Sequence, residues 1–194
     1  MKINIPNVLT WLRILAIPLV VGIFYLPEAW LQPSEKNQAA TFLFVLAAIT
    51  DWLDGWLARK LNQQSAFGAF LDPVADKLMV AAALIILVKL QRCDAAIALI
   101  IIGREIAISA LREWMAQIGA SKSVAVSSIG KIKTAAQMVA IPMLLFHDRL
   151  FDLVDTHYWG EYLLWIAGVL TVWSMFYYLR LAWPMIKEKS GVLP

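Results

Sequence analysis

The chain has 194 residues, of which 61% are hydrophobic and 16% charged, with a mean hydropathy of +0.69. A soluble domain is about 45–50% apolar and about 25% charged, and so short a chain has too little interior to hide the excess. These values argue against a soluble enzyme, a disordered chain and, with Cys93 as the lone cysteine, a disulfide scaffold. The net charge of +3 does not point to nucleic acid, because the basic residues do not gather into one polar stripe. The composition points to a polytopic membrane protein.

A membrane-spanning helix needs about 20 mostly apolar residues. The first candidate covers 8–26, after the proline-marked start Asn4-Ile5-Pro6-Asn7. Arg13 within it, and the lack of a small-residue cleavage site after it, make it a span rather than a cleaved signal peptide. The following candidates are 39–58, 68–90, 95–117, 124–146 and 158–183. The expected architecture is all-α, with six transmembrane helices in a single domain over 1–194 and no internal repeat. With both termini in the cytoplasm, the inner segments carry Lys2, Arg59, Lys60, Lys122, Lys131, Lys133, Arg180, Lys187 and Lys189. The outer ones carry only Lys36, Lys89, Arg92 and Arg149. This is the bias that sets orientation in a bilayer.

Ionisable groups inside a span cost about 2.5–3.5 kcal/mol each on insertion scales, so each needs a compensating role. The second span ends with Asp51, Asp54 and Arg59, the third begins with Asp72, Asp76 and Lys77, and the fourth carries Arg104, Glu105, Arg112 and Glu113. Spacings of three and four put Asp51 with Asp54, and Asp72 with Asp76, on one helix face each. Consecutive antiparallel spans would bring the two pairs to one depth on facing helices, near the cytoplasmic boundary. Four carboxylates there repel one another and call for cations. An oxygen-only set suits Mg²⁺ or Mn²⁺, and four aspartates are enough for two ions.

Gly55, Ala58 and Gly68 allow a backbone or a ligand to come close, and Arg59 suits a phosphate or diphosphate oxygen. Pro73 would make Asp72 a helix N-cap. Arg104 and Arg112 share a face and, with Lys131 and Lys133 at the start of the fifth span, could surround a phosphate group. Glu105 and Glu113 could instead balance the arginines as ion pairs, and either lysine alone could be a positive-inside anchor. Arg13 reads as an anchor or a lipid-phosphate contact, and His147 and His157 as solvated loop histidines.

The pattern Asp51-x-x-Asp54-Gly55-x-x-Ala58-Arg59, then eight residues, then Gly68-x-x-x-Asp72-x-x-x-Asp76 resembles the signature of the CDP-alcohol phosphotransferase family at all eight of its positions. The resemblance implies a membrane enzyme of six helices, typically a homodimer. Such an enzyme passes a substituted phosphate from a CDP-linked donor to an alcohol and releases CMP. It implies that Asp51, Asp54 and Asp72 supply most metal oxygens and that Asp76 touches the second ion and acts as general base. Gly55, Ala58, Arg59 and Gly68 would hold the CDP diphosphate.

Further segments, from Asn4 to Thr10 with Arg13, from Arg104 to Ile106, and over 109–116, 123–126 and 130–138, resemble bacterial members of the family. These imply CDP-diacylglycerol as donor, sn-glycerol 3-phosphate as acceptor, and a place in the bacterial cytoplasmic (inner) membrane with the active site facing the cytoplasm. The small dianionic acceptor matches the cluster of Arg104, Arg112, Lys131 and Lys133. Inositol phosphate would suit that cluster on charge alone. A membrane prenyltransferase is disfavoured because both aspartate motifs lie between Asp51 and Asp76, and an ion carrier because its site should lie near the midplane of inverted repeats.

Overall fold

The apolar stretches form helices whose ends are fixed by identifiable side chains. A computed structural model of the chain describes residues 5–61, 66–118 and 128–189. In order, the elements are α1 (Ile5–Ile23), α2 (Pro33–Leu61), α3 (Ala66–Lys89), α4 (Ala95–Gln117), α5 (Ser128–Phe146), β1 (Arg149–Leu150), β2 (Val154–Asp155) and α6 (Thr156–Lys189). The Glu35 carboxylate accepts from the Gln32 backbone N–H at 2.8 Å at the start of α2. Asp94 caps α4 by accepting from the Ala96 N–H at 2.7 Å, and Asp155 accepts from the Tyr158 N–H at 3.0 Å at the start of α6. Such bonds satisfy donors that have no partner within the helix.

Among the described residues, one helix is long and apolar enough to cross a membrane, over Thr156–Lys187, and shorter apolar stretches cover Val8–Ile23 and Ile132–Phe146. The physical reason is that α2, α3 and α4 carry the ionisable groups singled out above, which break their apolar runs. Two expectations about local structure are corrected. Pro73 lies inside α3, so Asp72 is a residue of the helix and not its N-cap; the turns before it, from Ala66, are already helical. The chain between α5 and α6 is no plain loop but a small antiparallel ribbon, Arg149 opposite Asp155 and Leu150 opposite Val154.

The packing order also differs from the expected pairing of neighbours. Among the described residues, helix α1 packs against both α2 and α3, which touch each other only lightly, while α5 runs along α6 and also meets α2. The main core joins Phe44 of α2, Leu84 and Leu87 of α3, Ile101 of α4, Ile141 and Leu144 of α5 and Leu164 of α6. A second, smaller cluster joins Ile108 and Met115 of α4 to Tyr178 and Ala182 of α6.

In the turn between α3 and α4, an Arg92 Nη donates to the Asn37 side-chain oxygen at 2.9 Å and to the carbonyls of Leu144 and Leu145 at 3.3 and 3.0 Å. It thereby closes the C-terminus of α5, whose last carbonyls have no helical donor. Burial beside Asp94 pushes the Cys93 thiol up to about 11. His147 and His157 pack edge to face at 4.6 Å between ring centroids, so they are partners and not separately solvated. Burial and the nearby Arg92 lower the pKa of His147.

Helix α6 packs tightly on α5 at Gly160, where a Cβ would lie 2.9 Å from Leu144 Cγ and 3.2 Å from the Leu144 backbone nitrogen. Leu144 is fully buried and has no space to yield. Gly160→Ala should therefore destabilise the protein by about 1–3 kcal/mol through overpacking, read as a lower Tm in detergent. An unchanged Tm would mean that the two helices separate there without cost.

Candidate functional site

Three helices bring the acidic half of the site together. Asp51 lies on α2, Asp72 and Asp76 on α3, and α1 inserts Thr10 and Arg13 from one face between them. Arg13 is only 2% exposed. Its Nη1 stands 2.5 Å from Asp51 Oδ1 and 3.8 Å from Asp76 Oδ1, and the Thr10 hydroxyl, also buried, donates to Asp72 Oδ1 at 2.6 Å. The reading of Arg13 as an anchor or lipid contact is thus corrected. A guanidinium removed from water needs a carboxylate, and Arg13 finds it in the aspartates.

Asp54, Gly55, Ala58 and Arg59 are on α2, but their side chains lie outside the described residues, as does that of Lys131 on α5. Gly68 is a buried position of α3.

The chemistry and convergence of the carboxylates bear on whether they suit a metal. Asp51 and Asp76 aim at a single cation, Arg13, and the described donors are all oxygen, which suits a hard divalent ion. Among the described residues no three His, Cys, Asp or Glu side chains gather into a cage on their own. Asp54, the remaining carboxylate of the expected set, lies outside them. The residues present fit the group as donors, with Asp51 and Asp76 as the convergent pair.

A cavity of about 270 Å³ opens beside Asp76. Its wall carries Asp76 and Lys77 of α3, Arg104, Glu105 and Arg112 of α4, and Gln137 of α5. Arg104 Nη1 pairs with Glu105 Oε1 at 3.1 Å and its Nη2 donates to Ser174 Oγ of α6 at 3.2 Å. Lys133, 1% exposed, pairs with the same Glu105 oxygen. It stands behind Glu105 and does not line the cavity.

Tyr178, fully buried, lies between the two arginines, its ring centroid 5.8 Å from the Arg104 guanidinium carbon and 5.1 Å from that of Arg112. Cation–π contact of this kind positions a guanidinium without neutralising it. The Nε atoms of Arg104 and Arg112 are buried with no hydrogen-bond partner. The ion-pair alternative thus holds for Arg104 with Glu105, while no pair between Arg112 and Glu113 occurs among the described side chains.

Reasoning from the sequence missed Thr10, Gln137, Ser174 and Tyr178. The spacing of Thr10 and Arg13, one helical turn apart on an apolar span, was a usable signal. Ser174 and Tyr178 share a face of α6, but nothing in that aromatic-rich helix marks them out.

Glu105 is the single anion shared by two buried cations, and removing one partner of a buried ion network leaves the rest uncompensated. Glu105→Gln should cost about 3–5 kcal/mol, seen as a lower Tm or poor accumulation in the membrane. Adding Lys133→Met should restore part of it. Equal damage in the single and double variants would mean that Lys133 is not what Glu105 compensates.

Residues 3–173 match the family described as CDP-alcohol phosphatidyltransferase. The chain is 48% identical over 184 residues to the CDP-diacylglycerol–glycerol-3-phosphate 3-phosphatidyltransferase of Salmonella choleraesuis (strain SC-B67), covering 94% of this chain and 96% of the relative. The protein of the same name from Escherichia coli (strain K12) is similar to the same extent, 48% identical with 94% and 96% covered. Members of this family generally use a divalent metal.

Proposed function

The chain belongs to the CDP-alcohol phosphatidyltransferase family, and on that premise we propose that it transfers the phosphatidyl group of CDP-diacylglycerol to sn-glycerol 3-phosphate, giving phosphatidylglycerophosphate and CMP. The observation that carries this reading is the cavity in which Asp76 faces Arg104 and Arg112, whose buried Nε donors have no partner. That wall suits a phosphate oxyanion, and a neutral alcohol would leave it uncompensated. The names of the two relatives support the same donor and acceptor.

The donor's acyl chains have an apolar path. A groove of about 260 Å³ between α2 and α5 is lined by Phe44, Val45, Ala48, Ile49, Trp52 and Met138. Phe44, Ala48 and Met138 also border the small space that holds Arg13 and Asp76. A lipid lying in this groove brings its headgroup to the aspartates.

Arg104 and Arg112 bind the acceptor phosphate and orient the molecule, with Lys133 and Lys131 adding positive charge behind it. Asp76 takes the proton from the sn-1 hydroxyl, and the alkoxide oxygen attacks the donor phosphorus that bears diacylglycerol. The P–O bond to the CMP phosphate breaks and CMP leaves. Arg59, with Gly55, Ala58 and Gly68, holds the CDP diphosphate. Asp51, Asp54, Asp72 and Asp76 would hold two ions of Mg²⁺ or Mn²⁺. When bound, these ions supply charge neutralisation at the diphosphate and the departing nucleotide.

The surface supports a membrane setting. Leu12, Leu15, Phe42, Leu99, Ile106 and Trp173 are all exposed, and in water so many exposed large apolar side chains favour aggregation. The reading is therefore one multi-pass domain over 1–194 with six spans and both termini in the cytoplasm. It sits in the bacterial inner membrane, where glycerol 3-phosphate and CMP exchange with the cytoplasm, and it assembles as a homodimer.

The test is CMP release by the purified protein with CDP-diacylglycerol and Mg²⁺, with glycerol 3-phosphate, inositol phosphate, serine or no acceptor. Release that requires glycerol 3-phosphate is expected; release with another acceptor would overturn the assignment. Asp76→Asn should lower kcat by about 10²–10⁴-fold while the protein still folds, because Arg13 keeps Asp51 as its nearer partner, and near-normal turnover would remove Asp76 as the base. Arg112→Ala should raise KM for glycerol 3-phosphate by roughly tenfold or more and leave KM for the lipid donor nearly unchanged. An equal effect on both would make Arg112 structural.

A further inference from the structure

Gln137 is a polar group of the cavity that neither the charged pairs nor the family signature employs. It is only 4% exposed, lines the same cavity as Asp76 and Arg112, and its side-chain oxygen Oε1 is buried with no hydrogen-bond partner. Buried polar atoms are nearly always bonded, and an orphan calls for a ligand or water to complete it. The hydroxyls on the same wall do not complete it. Ser109 Oγ donates to the Glu105 carbonyl at 2.7 Å and Thr134 Oγ1 to the Gly130 carbonyl at 2.9 Å. The missing donor therefore comes from whatever occupies the cavity.

Resting on the acceptor assigned above, we propose that Gln137 is a specificity residue that accepts a hydrogen bond from the secondary hydroxyl of glycerol 3-phosphate. The three polar features of that acceptor are then divided among three helices. The phosphate goes to Arg104 and Arg112 of α4, the reacting hydroxyl to Asp76 of α3, and the secondary hydroxyl to Gln137 of α5. A site that hydrogen-bonds a substrate hydroxyl discriminates against the analogue lacking it, because the protein's own polar group is then left unpaired. Gln137 thus selects a polyol phosphate over a simple hydroxyalkyl phosphate of the same length and charge.

The experiment compares glycerol 3-phosphate with 3-hydroxypropyl phosphate, which keeps the phosphate and the primary hydroxyl and lacks the secondary one. The readout is the ratio of their kcat/KM values in CMP release with CDP-diacylglycerol, in the full-length protein and in Gln137→Met and Gln137→Leu. The unmutated protein should prefer glycerol 3-phosphate by at least about tenfold, and both variants should lose most of that preference. As a ratio, the readout does not respond to the fraction of each variant that folds. An unmutated protein indifferent to the secondary hydroxyl, or a preference unchanged by both substitutions, would overturn the proposal while leaving the acceptor assignment intact. Absence of glycerol 3-phosphate-dependent release from the unmutated protein would overturn that assignment and this proposal with it.

Discussion

Every ionised group placed inside an apolar helix bundle must be compensated within the bundle. Removing a charge from water costs several kcal/mol even after relaxation, and an apolar surface offers no counter-ion. In this chain that constraint fixes the arrangement of the helices around the site. Arg13 of α1 reaches Asp51 of α2 and Asp76 of α3, so α1 lies against both. Glu105 of α4 meets Lys133 of α5, and Arg104 is held by Ser174 of α6. These ionic contacts join the same helices as the apolar core does.

The two charge networks share one border, Asp76. On one side the carboxylates and Arg13 form a mixed cluster suited to cations and diphosphate. On the other, Arg104, Arg112, Lys77 and Glu105 line a small cavity suited to an anion, with Lys133 paired to Glu105 behind it. In the proposed mechanism, Asp76 as a base between a site for the leaving group's charge and a site for the nucleophile's phosphate acts on a hydroxyl tethered from its far end. Such tethering converts a bimolecular attack into a near-intramolecular one. The apolar groove between α2 and α5 meets the same point from the lipid side.

Much of this was legible in the sequence because helical spacing reports which residues share a face. Asp72 with Asp76, and Arg104 with Arg112, needed only their spacing to be placed on one face each, and the order of the spans brought Asp51 to the depth of the first pair. What spacing does not report is which helix each face meets. Pairing the second and third spans as facing neighbours was natural but placed the aspartates opposite one another, whereas α1 lies against both and supplies Arg13 and Thr10. The same limit hid the pairing of Lys133 with Glu105, 28 positions apart, and the bracing of both arginines by Tyr178. Gln137 was hidden for another reason. An amide on a helix face is ordinary, and only its burial without a partner for Oε1 makes it informative.

The central claim is that the acceptor phosphate sits against Arg104 and Arg112 beside Asp76. Dipolar coupling between the phosphorus of bound glycerol 3-phosphate and the guanidinium nitrogens of isotope-labelled arginine, in protein reconstituted in lipid, measures that contact directly. The account requires a phosphorus–nitrogen distance of about 4 Å, as hydrogen-bonded guanidinium and phosphate give, with loss of the coupling in Arg112→Ala. Bound glycerol 3-phosphate with no coupling to any arginine, or with coupling unaffected by Arg112→Ala and Arg104→Ala, would contradict it.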